Sequence, residues 1–389
     1  MLKKKLYEIA NVQAGGTPSR TKSEYWNGDI PWVKISNINS KFVTEYDETI
    51  TNDGLNNSSA KYFSKGTILY TIFATLGRVG ILTFDATTNQ AIAGIKLIDN
   101  SLTNDYLYYY LRSLESHVKN IGNGAAQQNI NLSILKNFEV PIVSIDIQNK
   151  ITSELKEIEM LLEIKINVLL SLDELIKSRF IEMFDSESNK EKLVNLCKFI
   201  NGDRGKNYPS ASDRITSGIP FINAGHLENN VVCFDNMDYI SKQKYESLSS
   251  GKVQKDDIIY CLRGSLGKKG IVNFDKGAIA SSLLILRTNS KIRPLFLLYS
   301  LDQEYVLAQM KASNNGSSQP NLSAQSVKQY DIILPTIDRQ IEFESYVRLI
   351  DKSKFVCYSK YFLCDNFTLE SSTIAYSNVV SIFAWPNRC

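Results

Sequence analysis

The same landmarks occur twice along the chain, in the same order. This internal repeat restricts the chain to folds assembled from two similar halves. Ile30-Pro31-Trp32-Val33-Lys34-Ile35-Ser36-Asn37-Ile38 is answered by Ile219-Pro220-Phe221-Ile222-Asn223-Ala224-Gly225-His226-Leu227. Lys65-Gly66-Thr67-Ile68-Leu69-Tyr70 is answered by Lys255-Asp256-Asp257-Ile258-Ile259-Tyr260, and Leu76-Gly77-Arg78-Val79-Gly80 by Leu266-Gly267-Lys268-Lys269-Gly270. A Gly-small-small-Gln element follows in each copy, running from Gly124 to Ile130 and from Gly316 to Leu322. Val140-Pro141 and Leu334-Pro335 come next, and the copies close on Gln148 and Gln340. The offset between copies stays between 189 and 194.

Each copy alternates short apolar runs with Gly-rich turns and one helical pattern. Gly66–Thr71, Ile92–Ile98, Ile258–Leu262 and Ser282–Leu286 read as strands. Asp105–Asn120 and its counterpart Pro294–Met310 read as helices. The expected fold is therefore two α/β or α+β domains in tandem, residues 1–147 and 187–339.

Between them, residues 148–186 carry an uninterrupted helical pattern. Ile151, Leu155, Ile158, Leu162, Ile166, Leu169, Leu172, Ile176, Phe180 and Met183 recur at steps of three and four, which puts them on one stripe. At about 1.5 Å per residue, Ile151 to Phe184 makes a rod of roughly 50 Å. A rod of that length needs a partner helix to bury its stripe. A second helix starts in register after Gln340, where Phe343, Val347 and Ile350 fall on the positions of Ile151, Leu155 and Ile158. The seam then stops, with Lys354 standing where Leu162 stood. Residues 340–354 thus begin a second long helix, and 355–389 read as an atypical tail, either disordered or altered.

Catalytic signatures are missing. No phosphate-binding loop, zinc-protease helix or nucleophile elbow occurs, and Gly264-Ser265-Leu266-Gly267-Lys268-Lys269 is spaced too tightly for the first of these. The methyltransferase tetrapeptide Asn/Asp-Pro-Pro-aromatic is absent too. His117 has no partner in sequence, and the pair Asp256-Asp257 is expected to be a solvated turn. The six cysteines form no CxxC pair and are expected to be reduced thiols. No signal peptide or membrane-spanning run is evident, so a cytoplasmic protein is expected. The net charge of +3 neither demands nor excludes nucleic acid.

Binding chemistry is better represented. Thr17, Arg20 and Lys22 sit in a small, basic loop opened by Gly15-Gly16; Arg204 and Lys206 occupy its counterpart. Arg78, Arg263, Lys268 and Lys269 lie in Gly-flanked turns after strands, where glycine lets the backbone approach a ligand. Such cations neutralise phosphates, and arginine also reads guanine. Asn37, Gln127, Gln128, Asn129, Asn223 and Gln319 are loop amides able to read adenine. Lys34, Ser317 and His226, the last in a loop that can face a ligand, complete the candidate set.

The Gly-Gly-Thr-Pro loop, the Ile-Pro-Trp-Val-Lys-Ile-Ser-Asn-Ile run, the Gly-Ser-Ser-Gln-Pro-Asn-Leu element and the duplicated domain–helix arrangement resemble one family over about residues 1–354. That family is the specificity subunit (HsdS) of Type I restriction–modification systems. The resemblance implies a non-catalytic subunit whose two target recognition domains each read one half of a split sequence in double-stranded DNA. It implies that the two long helices pair as an antiparallel coiled coil. It implies docking of two methyltransferase (modification) subunits, with restriction/translocase subunits in the larger complex. S-adenosylmethionine, ATP and Mg would sit on those partners and no cofactor on this chain. A rod of about 50 Å spans roughly 15 base pairs at 3.4 Å each, the scale of two sites about one turn apart. Two alternatives remain at this point. One is a tandem-domain interaction scaffold. The other is a reader fused to its own methyltransferase or nuclease, for which the chain lacks motifs.

Overall fold

The computed structural model describes residues 2–115, 118, 130–313 and 321–359, with the backbone alone at 206 and 355–359. They divide into two units, up to residue 165 and from residue 166.

In the first unit the larger sheet runs, in spatial order, Ala10–Ala14, Ile92–Leu97, Ile68–Thr71, Val79–Leu82 and Phe42–Val43. Its neighbours are antiparallel except the last pair. The smaller sheet orders Glu48–Ile50, Trp26–Val33, Ala86–Thr88 and Tyr62–Phe63, with Trp26–Val33 parallel to Ala86–Thr88. Strand Ile68–Thr71 explains why its sequence is apolar without alternation. Successive side chains face opposite sides of a strand. Ile68 and Tyr70 enter a core with Tyr106, Leu107 and Leu111 of helix Asn104–Ser113. Leu69 enters a separate core with Val33, Phe63 and Ala86 of the smaller sheet. A strand covered on both faces reads as a continuous apolar run.

The second unit repeats this plan. Its larger sheet runs Cys197–Asn201, Leu283–Thr288, Ile258–Cys261, Lys269–Ile271, Asn230–Val232 and Leu227–Glu228. The register is the same in both: Ile95 pairs with Val12 and Ile68, and Leu286 pairs with Phe199 and Ile258. The smaller sheet again holds one parallel pair, Ile219–Ile222 with Gly277–Ile279. Mostly antiparallel sheets with helices set apart make each unit α+β. The counterpart helix is not continuous as the pattern suggested. It breaks into Pro294–Ser300 and Glu304–Ala312. At the break, Asp302 accepts a bond from the buried ammonium of Lys269.

The central helix spans Ile145–Phe184, starting three residues ahead of Gln148. Gln148 is fully buried and works as a staple. Its Oε1 accepts from Thr103 N (2.9 Å), and its Nε2 donates to Ser101 O (2.6 Å) and Val143 O (2.9 Å). Gln340, also fully buried, makes the same set in the second unit with Arg293 N, Lys291 O and Pro335 O. The repeated glutamine thus ties each long helix to its own domain.

Along the helix, Ile151 and Leu155 pack into the first unit's core. Ile176, Phe180, Met183 and Phe184 pack into the second's. The expected stripe is open between these ends. Ile158 and Ile166 are exposed, as are Met160, Leu161, Ile164, Val168 and Leu170. Among the described side chains of the second long helix, Ile337–Ser359, Lys354 makes the contact farthest back along the central helix, with Asp173. Phe343 meets the rings of Phe180 and Phe184 edge-on, Glu342 pairs with Arg179, and Lys354 pairs with Asp173. Rising numbers on one helix meet falling numbers on the other, so the pair is antiparallel. The seam does not end at Ile350, as its apolar pattern indicated. Lys354 extends it by an ion pair instead. The tail expected at 355–389 lies outside the described side chains.

Further expectations resolve here. Asp257 is not solvated: it is 1% exposed and takes two 2.8 Å bonds from Arg287. Cys197, Cys233 and Cys261 are free thiols. Among the described residues no helix is long and apolar enough to cross a membrane, and no group of three His, Cys, Asp or Glu could hold a metal ion. His117 lies outside the described residues.

Candidate nucleic-acid interface

One hairpin loop is built the same way in both units. It joins Ile68–Thr71 to Val79–Leu82 and, in the second unit, Ile258–Cys261 to Lys269–Ile271. Thr71 N donates to Arg78 O (3.0 Å) and Gly77 N to Thr71 O (3.0 Å). Cys261 N donates to Lys268 O (2.8 Å) and Gly267 N to Cys261 O (3.1 Å). Left-handed backbone recurs at matched places: Ala74 (φ 61°) with Gly264 (79°), and Gly77 (82°) with Gly267 (75°). Arg78 and Arg263 are exposed on this loop, and Lys268 is half-buried.

Two further repeated loops close on it. In the first unit Ile130 N, just after the Gly-Ala-Ala-Gln element, donates to Ile72 O (3.1 Å). In the second, Leu322 N donates to Leu262 O (2.9 Å), and Asn321 bridges Arg263. The Gly-Gly loop joins the first group through Gly15 N to Ile92 O (2.9 Å) and Gly16 N to Thr88 O (2.8 Å). In the second unit the loops frame a groove of about 580 Å³ lined by Asn201, Arg204, Arg263 and Asn321, among others. Asp203 anchors its wall. Burial opposes its ionisation, yet hydrogen bonds from Ser249 and from Arg204 N hold its carboxyl below the usual range. In the first unit a groove of about 390 Å³ lies beside Arg78, lined also by Ser40, Lys41, Thr75 and Arg112.

The candidates separate by environment. Among the described residues, none offers Arg78, Arg204 or Arg263 a carboxylate within ion-pair distance. Arg20 instead stacks on Trp26 (3.6 Å) and bonds Glu48 (2.7 Å). Lys34 also pairs with Glu48 (3.2 Å), and Asn37 accepts from Lys34 N and donates to Asp47. The hydrogen bond from Arg20 is the chief reason the Glu48 carboxyl is held below its ordinary range. Thr17 bonds Gln90, and Lys22 donates to Tyr25 Oη (2.9 Å).

His226 and Lys269 are buried in their unit and, contrary to expectation, do not face a ligand. His226 is 5% exposed, and both ring nitrogens are engaged. Nδ1 accepts from Asn223 N, which leaves Nε2 to donate to Asn236 O. It caps a turn inside the unit, together with the Asn223 side chain, which accepts from Gly225 N. Lys269 is 6% exposed and committed to Asp302; burial pushes its ammonium pKa down. The two glycines of the first loop also have an internal reason. A Cβ on Gly15 or Gly16 would fall 2.0 Å from Thr88 Oγ1 or 2.3 Å from Ser59 Oγ. Gln127, Gln128, Asn129, Ser317 and Gln319 lie outside the described residues, and at Lys206 only the backbone is described.

Lys41 and Arg112 line the groove with Arg78 but are committed to Asp105 (2.8 Å) and Glu159 (3.0 Å). Phe73, absent from the candidate set, is exposed on the first hairpin loop. Comparing loop positions between copies one by one would have found Phe73, since it stands opposite Arg263 at an offset of 190.

The sequence model of the family described as "Type I restriction modification DNA specificity domain" matches residues 1–171 and again 186–348. The chain is 27% identical over 371 residues to the type I restriction enzyme MjaIX specificity subunit of Methanocaldococcus jannaschii, covering 89% of this chain and 85% of that one. It is 28% identical over 165 residues to the EcoR124I/EcoR124II specificity subunit of Escherichia coli, covering 41% of each. Its fold is similar to the S subunit of a type I restriction–modification system from M. genitalium, with a TM-score of 0.53 at 17% identity over 100% of this chain and 96% of that one. Two matches to one family's sequence model fall on the two structural copies, and with them the chain belongs to the type I restriction–modification DNA specificity family.

Proposed function

We propose that the chain is the sequence-reading subunit of a type I restriction–modification complex, with each unit reading one half of a split DNA target. The observation that carries this reading is the loop frame found in both units, closed by shared backbone bonds and carrying an exposed arginine on each hairpin. Arg78 in one unit, and Arg204 with Arg263 in the other, supply charge for phosphates and donors for base edges. The chain itself does no chemistry. Methylation and restriction reside on modification and restriction subunits, which bring S-adenosylmethionine, ATP and Mg. The long helices offer those subunits a docking surface, and the exposed apolar residues between Ile158 and Leu170 suit that role.

Binding of the full chain, with its modification subunits, to a pool of duplexes at increasing salt tests this. A reader loses affinity steeply as salt rises and still enriches one split sequence. Arg78→Ala relaxes preference in one half-site and Arg263→Ala in the other. A chain that merely scaffolds other proteins shows neither salt dependence nor enrichment.

A further inference from the structure

The two hairpin loops share a backbone but not a tip. Ile72 N donates to Ala91 O and Leu262 N to Ser282 O, both at 2.9 Å, so each tip leaves the sheet at the same point. The next residue is Phe73 in the first unit and Arg263 in the second, followed by the left-handed Ala74 or Gly264. Phe73 is 40% exposed, a large apolar side chain in a loop whose other outward group is Arg78. No hydrophobic core cluster among the described residues of the first unit includes it.

We infer that this tip is a position where the two units read different bases through one frame: Phe73 packs on a thymine methyl in the major groove, and Arg263 bonds guanine. The proposal rests on the DNA-reading function above. Thymine is the only base presenting a methyl there, and an apolar ring discriminates it by contact. Guanine presents N7 and O6 side by side, which suits the guanidinium fork. Because the bonds that fix the base of each loop are shared (Thr71 N to Arg78 O with Cys261 N to Lys268 O, and Gly77 N to Thr71 O with Gly267 N to Cys261 O), exchanging the tip side chain leaves that base in place.

The test is selection from duplexes randomised in each half-site, using the full chain with its modification subunits. Phe73→Arg is expected to change one position of the first half-site from thymine to guanine, with roughly tenfold discrimination. Arg263→Phe is expected to make the reverse change in the second half-site. A second measurement leaves the protein untouched. Replacing each thymine of the first half-site by deoxyuridine removes its methyl. The wild-type chain is expected to lose about fourfold affinity at a single position, and Phe73→Ala to lose nothing further there. If the wild-type chain selects a split sequence but Phe73→Arg selects the same one, or deoxyuridine is tolerated throughout, the inference fails alone. If the wild-type chain selects no split sequence, the DNA-reading function fails with it.

Discussion

Ala74 is an alanine in a conformation that glycine adopts more readily, and its counterpart is Gly264. Left-handed backbone costs an L-residue about 1–2 kcal/mol, less what glycine loses through a freer unfolded chain. Ala74→Gly is therefore expected to stabilise the first unit by roughly 0.5–1 kcal/mol. Gly264→Ala should destabilise the second by a similar amount. A Cβ there meets nothing within 4 Å, so only the backbone resists. Denaturant midpoints of the two variants check both signs; equal shifts in one direction would contradict the matched frame. The residue scale is also where the sequence was least legible. His226 and Lys269 looked like binding groups because their neighbours in sequence are loop residues and cations. Their burial follows from Asn236 and Asp302, partners 10 and 33 residues away that no local pattern announces.

At the scale of elements, much more could be read directly. The repeat offset located both hairpins, both sheet centres and both glutamines, because a duplicated fold keeps its register wherever strands pair. The helix that breaks at Leu301–Gln303 was misread because its apolar spacing persists through the break. Periodicity marks the central stripe as an apolar face without showing what covers its middle. The staple glutamines carry a quantitative expectation. Gln148→Leu leaves Thr103 N and two carbonyls without their partner, at roughly 1–3 kcal/mol per unsatisfied buried group. A loss of about 3 kcal/mol is expected, followed by the fluorescence of Trp26 and Trp32 in the same unit. An unchanged transition would mean that water replaces the amide at no cost, and that the glutamine is not what fixes the helix to its domain.

At the scale of the whole molecule, the two units share a fold, a loop frame and a terminal staple, and differ in the side chains they expose on the frame. That combination suits a molecule that must be held alike at both ends while reading different sequences. It also accounts for the low net charge of +3. Some candidate cations are neutralised within their own unit, Arg20 and Lys34 by Glu48 and Lys269 by Asp302, while Arg78 and Arg263 stay exposed. The central claim is that one unit reads one half-site and the other unit the second. It is tested most directly by mapping N6-methyladenine across the genome of a cell in which this chain is the only specificity subunit. The account predicts one split sequence, two defined halves separated by a fixed gap of unread bases. Methylation of a single uninterrupted sequence, or methylation without any sequence preference, would contradict it.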